Sequence, residues 1–305
     1  MIDARKTLLP YLVCAVLLCS LPITWTSQYA WVGAVLSGLI LVFGLPHGAY
    51  DIFLLRARFG RQRVLRAASV YLLTALCVPL IWWVSPTAFL LLFLGLSIVH
   101  FGDSDWPEET WPAKLAWGIL VLAIPVTLQP GEVRALFAVF APASLSVQVV
   151  QTLTMLLVPA GFTLLTQRKT FGLKLLALLL LAALCLRTSA LVGFAVYFCL
   201  FHSRSHLVRW RLRVPVRETR MAGMLVVGVL LGVAALVFSN SAAEPLGAFD
   251  VRVVAITFLV LASLTVPHMI TVALANRSLL ERNSIARPPL EAICSGRSQV
   301  PASDN

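Results

Sequence analysis

The chain has 305 residues, of which 59% are hydrophobic and only 12% charged, where a soluble domain sits nearer half and a quarter. Mean hydropathy is +0.90, too little polar side chain to cover a water-facing surface, so a soluble fold is excluded and the chain reads as an integral membrane protein. The formal charge of +11 is read as the positive-inside bias of a polytopic protein, with no nucleic-acid partner implied.

Apolar stretches of the length that spans a bilayer as a helix fall, in chain order, at 8–26, 30–55, 68–84, 86–101, 114–130, 145–166, 171–187, 188–203, 221–238 and 253–275. The predicted architecture is an all-α transmembrane helical bundle of about ten spans, forming a single domain over residues 1–275. Residues 276–305 turn polar and are expected to trail as a disordered cytoplasmic tail. Residues 131–143 are expected to form a re-entrant or interfacial turn. The first stretch lacks a small-residue cleavage site and reads as a span rather than a leader. The six cysteines contain no CxxC pair and five lie in apolar runs, which suits small buried hydrophobes better than a disulfide or zinc framework.

Charge orients the bundle. With the N-terminus inside and ten alternating spans, 21 of the 24 basic residues fall on inner segments, and only Arg134, Arg187 and Arg252 fall outside. This predicts cytoplasmic N- and C-termini and a multi-pass protein of the inner (plasma) membrane. A count of eight spans keeps much of the same bias. Trp25, Trp31, Trp82, Trp83, Trp106, Trp111 and Trp210 fall near span ends, as in interfacial belts.

All five histidines of the chain, His47, His100, His202, His206 and His268, lie in or at the end of apolar stretches. Their stretches are the second, fourth, eighth and tenth, which all run from outside to inside, so every histidine falls toward the cytoplasmic end. Ionisable groups are costly in a membrane and are functional by default there. His202 and His206 stand four apart, the spacing that turns two imidazoles to one helix face and lets them share an ion. In GLPHGAYD (44–51), Asp51 stands four residues after His47 and is expected to accept that ring's other N–H. In HFGDSD (100–105), His100 precedes Asp103 and Asp105. With Glu108 and Glu109 these acids form an acidic inner loop, expected to pair with the arginines at 56–66, with Glu108 and Glu109 as solvated surface. His268, in TVPHMI, ranks below the other four as a fifth ligand, an outer hydrogen-bond donor or a pocket wall. Tyr50 and Tyr197 are expected near the centre. Neutral imidazoles suit iron, zinc, copper or nickel. They add no negative charge, so a divalent ion keeps open positions for dioxygen, and residue types alone do not choose among the metals. Phe43, Phe93, Phe101, Tyr197, Phe198 and Phe201 are the candidate lining of an apolar substrate channel.

The motifs GLPHGAYD, HFGDSD, YFCLFHSRSH (197–206) and VPHM (266–269) resemble, in order and spacing, the Brp/Blh family of membrane β-carotene 15,15′-dioxygenases, which are related to bacteriorhodopsin-associated proteins. The resemblance runs from the second stretch to the last. It implies cleavage of β-carotene at its central double bond with O2, giving two molecules of all-trans-retinal. It also implies a non-haem iron, Fe(2+), held by His47, His100, His202 and His206, and a microbial rhodopsin as acceptor of the retinal. Three other readings stand beside it. A lipid desaturase or hydroxylase would use more histidines around two irons. A metal or proton transporter would spread polar groups through the membrane depth. A haem-binding electron carrier would show a Soret band. No Walker loop, dinucleotide fingerprint or Ser-His-Asp arrangement is present.

Overall fold

The structure is a computed structural model of the chain that describes residues 4–21, 32–167, 169–211, 216–238 and 246–285. All regular structure among them is helical. In hydrocarbon a helix satisfies its own backbone donors and acceptors, whereas an open sheet edge does not. The helices are α1 (Ala4–Ser20), α2 (Val32–Ala49), α3 (Asp51–Val84), α4 (Pro86–Asp105), α5 (Trp111–Leu128), α6 (Pro130–Ala138), α7 (Ala143–Leu165), α8 (Phe171–Arg187), α9 (Ala190–Tyr197), α10 (Arg204–Arg211), α11 (Val216–Phe238) and α12 (Leu246–Ile285). A π-helical turn, Phe198–Ser203, joins α9 to α10.

Each predicted stretch has a helical counterpart. Among the described residues, seven helical segments are long and apolar enough to cross a membrane, one of them the joined run Val32–Val84, while Leu8–Ser20 is shorter. The interfacial turn expected at 131–143 is largely the short helix α6. The boundaries differ most at the arginine-rich segment 56–67, expected as a loop and instead helical on both sides of Gly60, whose φ of 76° and ψ of 171° break α3. Such a φ favours glycine, which has no Cβ to collide with the backbone. The break reverses the chain: the Tyr71 hydroxyl donates to Asp51 at 2.9 Å, though 20 residues of straight helix would separate them by about 30 Å. At the far end α12 continues to Ile285, ten residues into the segment expected as a tail. Residues 286–305 lie outside the described residues.

The largest buried cluster joins α1, α4, α5, α8, α9 and the π turn through Tyr11, Phe101, Trp117, Leu181, Tyr197 and Phe201. Within it α4 and α5 meet backbone to backbone. A Cβ on Gly102 would strike the backbone of Lys114, and one on Gly118 that of Ile98. This contact fixes the last two turns of α4, which carry His100, Ser104 and Asp105. Among the tryptophans, Trp83 and Trp111 are exposed as expected of a belt, but Trp106 is buried and lies under the Lys174 ammonium.

Candidate metal centre

Four of the five histidines have described side chains, and they converge. His100 comes from α4, His202 from the π turn, His206 from α10 and His268 from α12. The His100 ring lies 5.0 Å from that of His202 and 5.6 Å from that of His268, and His206 lies 4.8 Å from His268, centroid to centroid. The Nε2 atoms of His100 and His202 are 3.3 Å apart. His268, ranked last from sequence, is therefore within the cluster. His47 occupies the last turn of α2, and its side chain lies outside the described residues. Among the described residues, no three histidine, cysteine, aspartate or glutamate donors already form a metal-binding group.

Local helix geometry sets the rings. The π turn carries one residue more per turn than an α-helix, a distortion often found at functional sites, and it holds His202 fully buried. Pro267 precedes His268 inside α12 and, lacking an N–H, removes one hydrogen bond from the helix there.

Each ring that faces a carboxylate is held through Nδ1. His202 Nδ1 lies 2.7 Å from Asp105 Oδ1, and His268 Nδ1 lies 2.9 Å from Asp51 Oδ1. A carboxylate in its ionised form only accepts, and facing one a neutral ring carries its proton on Nδ1 and its lone pair on Nε2. His206 Nδ1 meets the Ser104 hydroxyl at 3.3 Å. The carboxylates are in turn fixed. Asp105 accepts from the Trp117 indole at 2.8 Å and from the Tyr197 hydroxyl, and Asp51 accepts from Tyr71. Both side chains are almost completely buried.

Several residues differ in role from the sequence reading. Asp51, expected to serve His47, finds its partners among the described residues in His268 and Tyr71. The fold-back at Gly60 and the passage of α12 bring those groups together. Tyr197 acts on Asp105, not at the centre itself. Tyr50 packs in an apolar cluster with Phe53, Ala222 and Ala275. Glu108 is exposed, as expected, whereas the other acids of this loop pair with neighbouring helices rather than with the arginines. Asp105 is the buried partner of His202, and Asp103 pairs with Lys114 at 2.6 Å. Glu109 pairs with Lys174 at 2.9 Å and accepts from Thr170. Burial opposes the Glu109 carboxylate, but the Thr170 and Lys174 hydrogen bonds and the charges of Lys174 and Lys114 outweigh it and hold its pKa below 4.5. These pairs reflect the packing of α5 and α8 beside the end of α4, which spacing along the chain does not reveal. Ser104, Asp105, Trp117 and Tyr71 are thus the residues that sequence reasoning missed. A run of polar residues closing an apolar helix beside a histidine was the available signal for the first two.

A partly open cavity, with about 1130 Å³ of empty space including its mouth, reaches this cluster, with His100, His202 and His268 in its wall. Of the predicted aromatic lining, Phe93, Phe101 and Phe198 are present, and Phe137, Phe194 and Phe258 join them. Phe201 and Tyr197 belong to the buried core instead, and Phe43 is exposed. The cavity reaches Ala190 at the start of α9, so it extends about 18 Å along that helix from His202. There the α9 N-terminus is held by α6: the Glu132 carboxylate accepts from Ala190 N at 2.8 Å and Leu191 N at 3.1 Å. Placing a negative charge on orphaned helix N–H groups is favourable. The arrangement combines a long, mostly apolar space with a histidine cluster at one end.

Comparison with known proteins agrees with this architecture. No solved structure matches the chain. A protein from the uncultured marine bacterium 66A03, named β-carotene 15,15′-dioxygenase, is 31% identical over 261 residues, covering 77% of this chain and 90% of that one. The family model for β-carotene 15,15′-dioxygenase matches residues 38–275, a range that holds all five histidines and both buried carboxylates. The chain belongs to the β-carotene 15,15′-dioxygenase family, a family of carotenoid-cleaving dioxygenases.

Proposed function

We propose that this protein cleaves β-carotene at its central 15,15′ double bond with O2 and releases two molecules of all-trans-retinal. Both oxygen atoms end in the two aldehydes, so the reaction balances without an external reductant. The observation that carries the reading, beside the family, is the phenylalanine-lined cavity whose wall includes His100, His202 and His268. A carotenoid offers no hydrogen-bond handle, so it is recognised by apolar burial and ring contact.

The donor set fits Fe(2+). Two imidazole nitrogens each about 2.1 Å from one ion lie roughly 3.0–3.4 Å apart, and the His100 and His202 Nε2 atoms stand at 3.3 Å. His47, His100, His202 and His206 would hold the iron, with His268 as a further donor beside them. When bound, iron(II) supplies the activation of dioxygen.

The chain's own residues do the rest. Asp105 and Asp51 fix the tautomers of His202 and His268 so that Nε2 presents its lone pair. Tyr197, Trp117 and Tyr71 keep those carboxylates from swinging. The phenylalanine walls exclude water and align the polyene, and alignment of the correct bond sets the product. The positive-inside bias supports a centre toward the cytoplasmic side of the inner membrane. Carotene would arrive from the lipid, and a microbial rhodopsin would be the acceptor of retinal.

The test is expression in a bacterium that accumulates β-carotene, with retinal measured by chromatography. Wild type is expected to bleach the cells and form retinal. His202→Ala and His206→Ala are expected to insert into the membrane but lose bound iron and activity. Persistent carotene with an inserted, iron-loaded wild-type protein would overturn the reading.

A further inference from the structure

A second cavity, with about 670 Å³ of empty space, lies between α2, α3 and α11. Gly48 and Leu264 line both cavities, and Gly48 directly follows His47. The two spaces therefore adjoin at the histidine cluster. Asp51, which holds His268, is in the wall of the second, and His268 itself is in the wall of the first. We propose that the two cavities are the two arms of one substrate tunnel. The space between α2, α3 and α11 receives the second half of a long symmetric polyene whose central bond lies at the waist beside the histidines.

This rests on the cleavage reading above and adds to it where the substrate lies. Central cleavage of a symmetric molecule demands equal lengths of chain on the two sides of the reacting bond. The first cavity runs about 18 Å from His202 to the start of α9 and so accounts for one side only. A molecule lying wholly within it would present its end, not its centre, to the histidines.

The second cavity has the chemistry to hold the other half. Its wall includes Leu45, Ile52, Leu55, Leu225, Val226 and Val229. Its polar members, Asp51 and Tyr71, are hydrogen-bonded to each other, and Asp51 also to His268. A hydrocarbon passing them strands none of these bonds, and its burial is favourable in proportion to apolar area. On either side of this space α11 packs on α2 and α3 on α12. Leu225 and Val229 are about half exposed there, which gives a fatty molecule lateral access from the bilayer.

The experiment compares two substrates in membranes holding the iron-loaded protein. One is β-carotene; the other is a carotenoid aldehyde truncated on one side of the central bond, whose short end needs no second arm. Val229→Trp is expected to lower kcat/KM for β-carotene relative to the truncated aldehyde by at least about tenfold, at wild-type iron content. Val226→Phe, a smaller intrusion, is expected to act in the same direction, and it decides the matter if the tryptophan variant fails to accumulate. An unchanged ratio, whether both substrates slow together or neither does, would overturn the second arm. Failure of wild type to form retinal from either substrate would instead overturn the cleavage reading itself.

Discussion

At the scale of the residue, the centre is governed by pairs in which a buried carboxylate holds an imidazole. Asp105 and His202 are 2.7 Å apart and fully buried, and Asp105 also accepts from Trp117 and Tyr197. Asparagine at this position keeps the size but loses the charge, and its amide can present N–H to Nδ1 and reverse the tautomer. Asp105→Asn is therefore expected to weaken iron binding by about 10–100-fold, read as the metal retained after dialysis against a graded chelator, with expression and insertion unchanged. Asp51→Asn is expected to act similarly through His268. Unchanged affinity in both would reduce these pairs to structural ties.

At the scale of the element, the precision of the site depends on how closely α4 approaches α5. His100, Ser104 and Asp105 all sit beyond Ile98 on α4, and Ile98 rests against Gly118 with no room for a Cβ. Gly118→Ala must push the helices apart. It is expected to cost about 1–3 kcal/mol, the range for overpacking a close contact, and to reduce activity because three site residues move with α4. Gly161→Ala in α7, where a Cβ meets nothing within 4 Å, is the matched control. It is expected to be neutral or slightly stabilising. Thermal unfolding in detergent separates the two outcomes. The π turn is the other element-level device, since it places His202 beside His100 while His206, on the same rod, meets His268.

At the scale of the whole molecule, the distribution of charge is expected to set how the bundle sits in the membrane. With 21 of 24 basic residues on alternate segments, single cysteines placed at Arg63 and Arg217 are expected to react with an impermeant maleimide only from the cytoplasmic face. A cysteine at Arg134 is expected to react only from the opposite face. Reversed labelling would overturn the orientation.

The helical bundle was legible from residues alone, because the cost of unsatisfied backbone in hydrocarbon forces every long apolar stretch into a helix. The gathering of the histidines was legible for a related reason: ionisable groups are so costly in a membrane that their shared depth carries information. Two kinds of fact were not legible. The turn at Gly60, which brings Tyr71 back to Asp51, depends on one backbone torsion that composition does not encode. The pairing of Asp105 with His202, and of Asp51 with His268, joins residues 97 and 217 positions apart. Hydropathy sorts residues by depth, and at one depth it leaves open which acid meets which imidazole. That choice belongs to the lateral packing of helices, set by close contacts such as Gly118 on Ile98, and only the tertiary structure decides it.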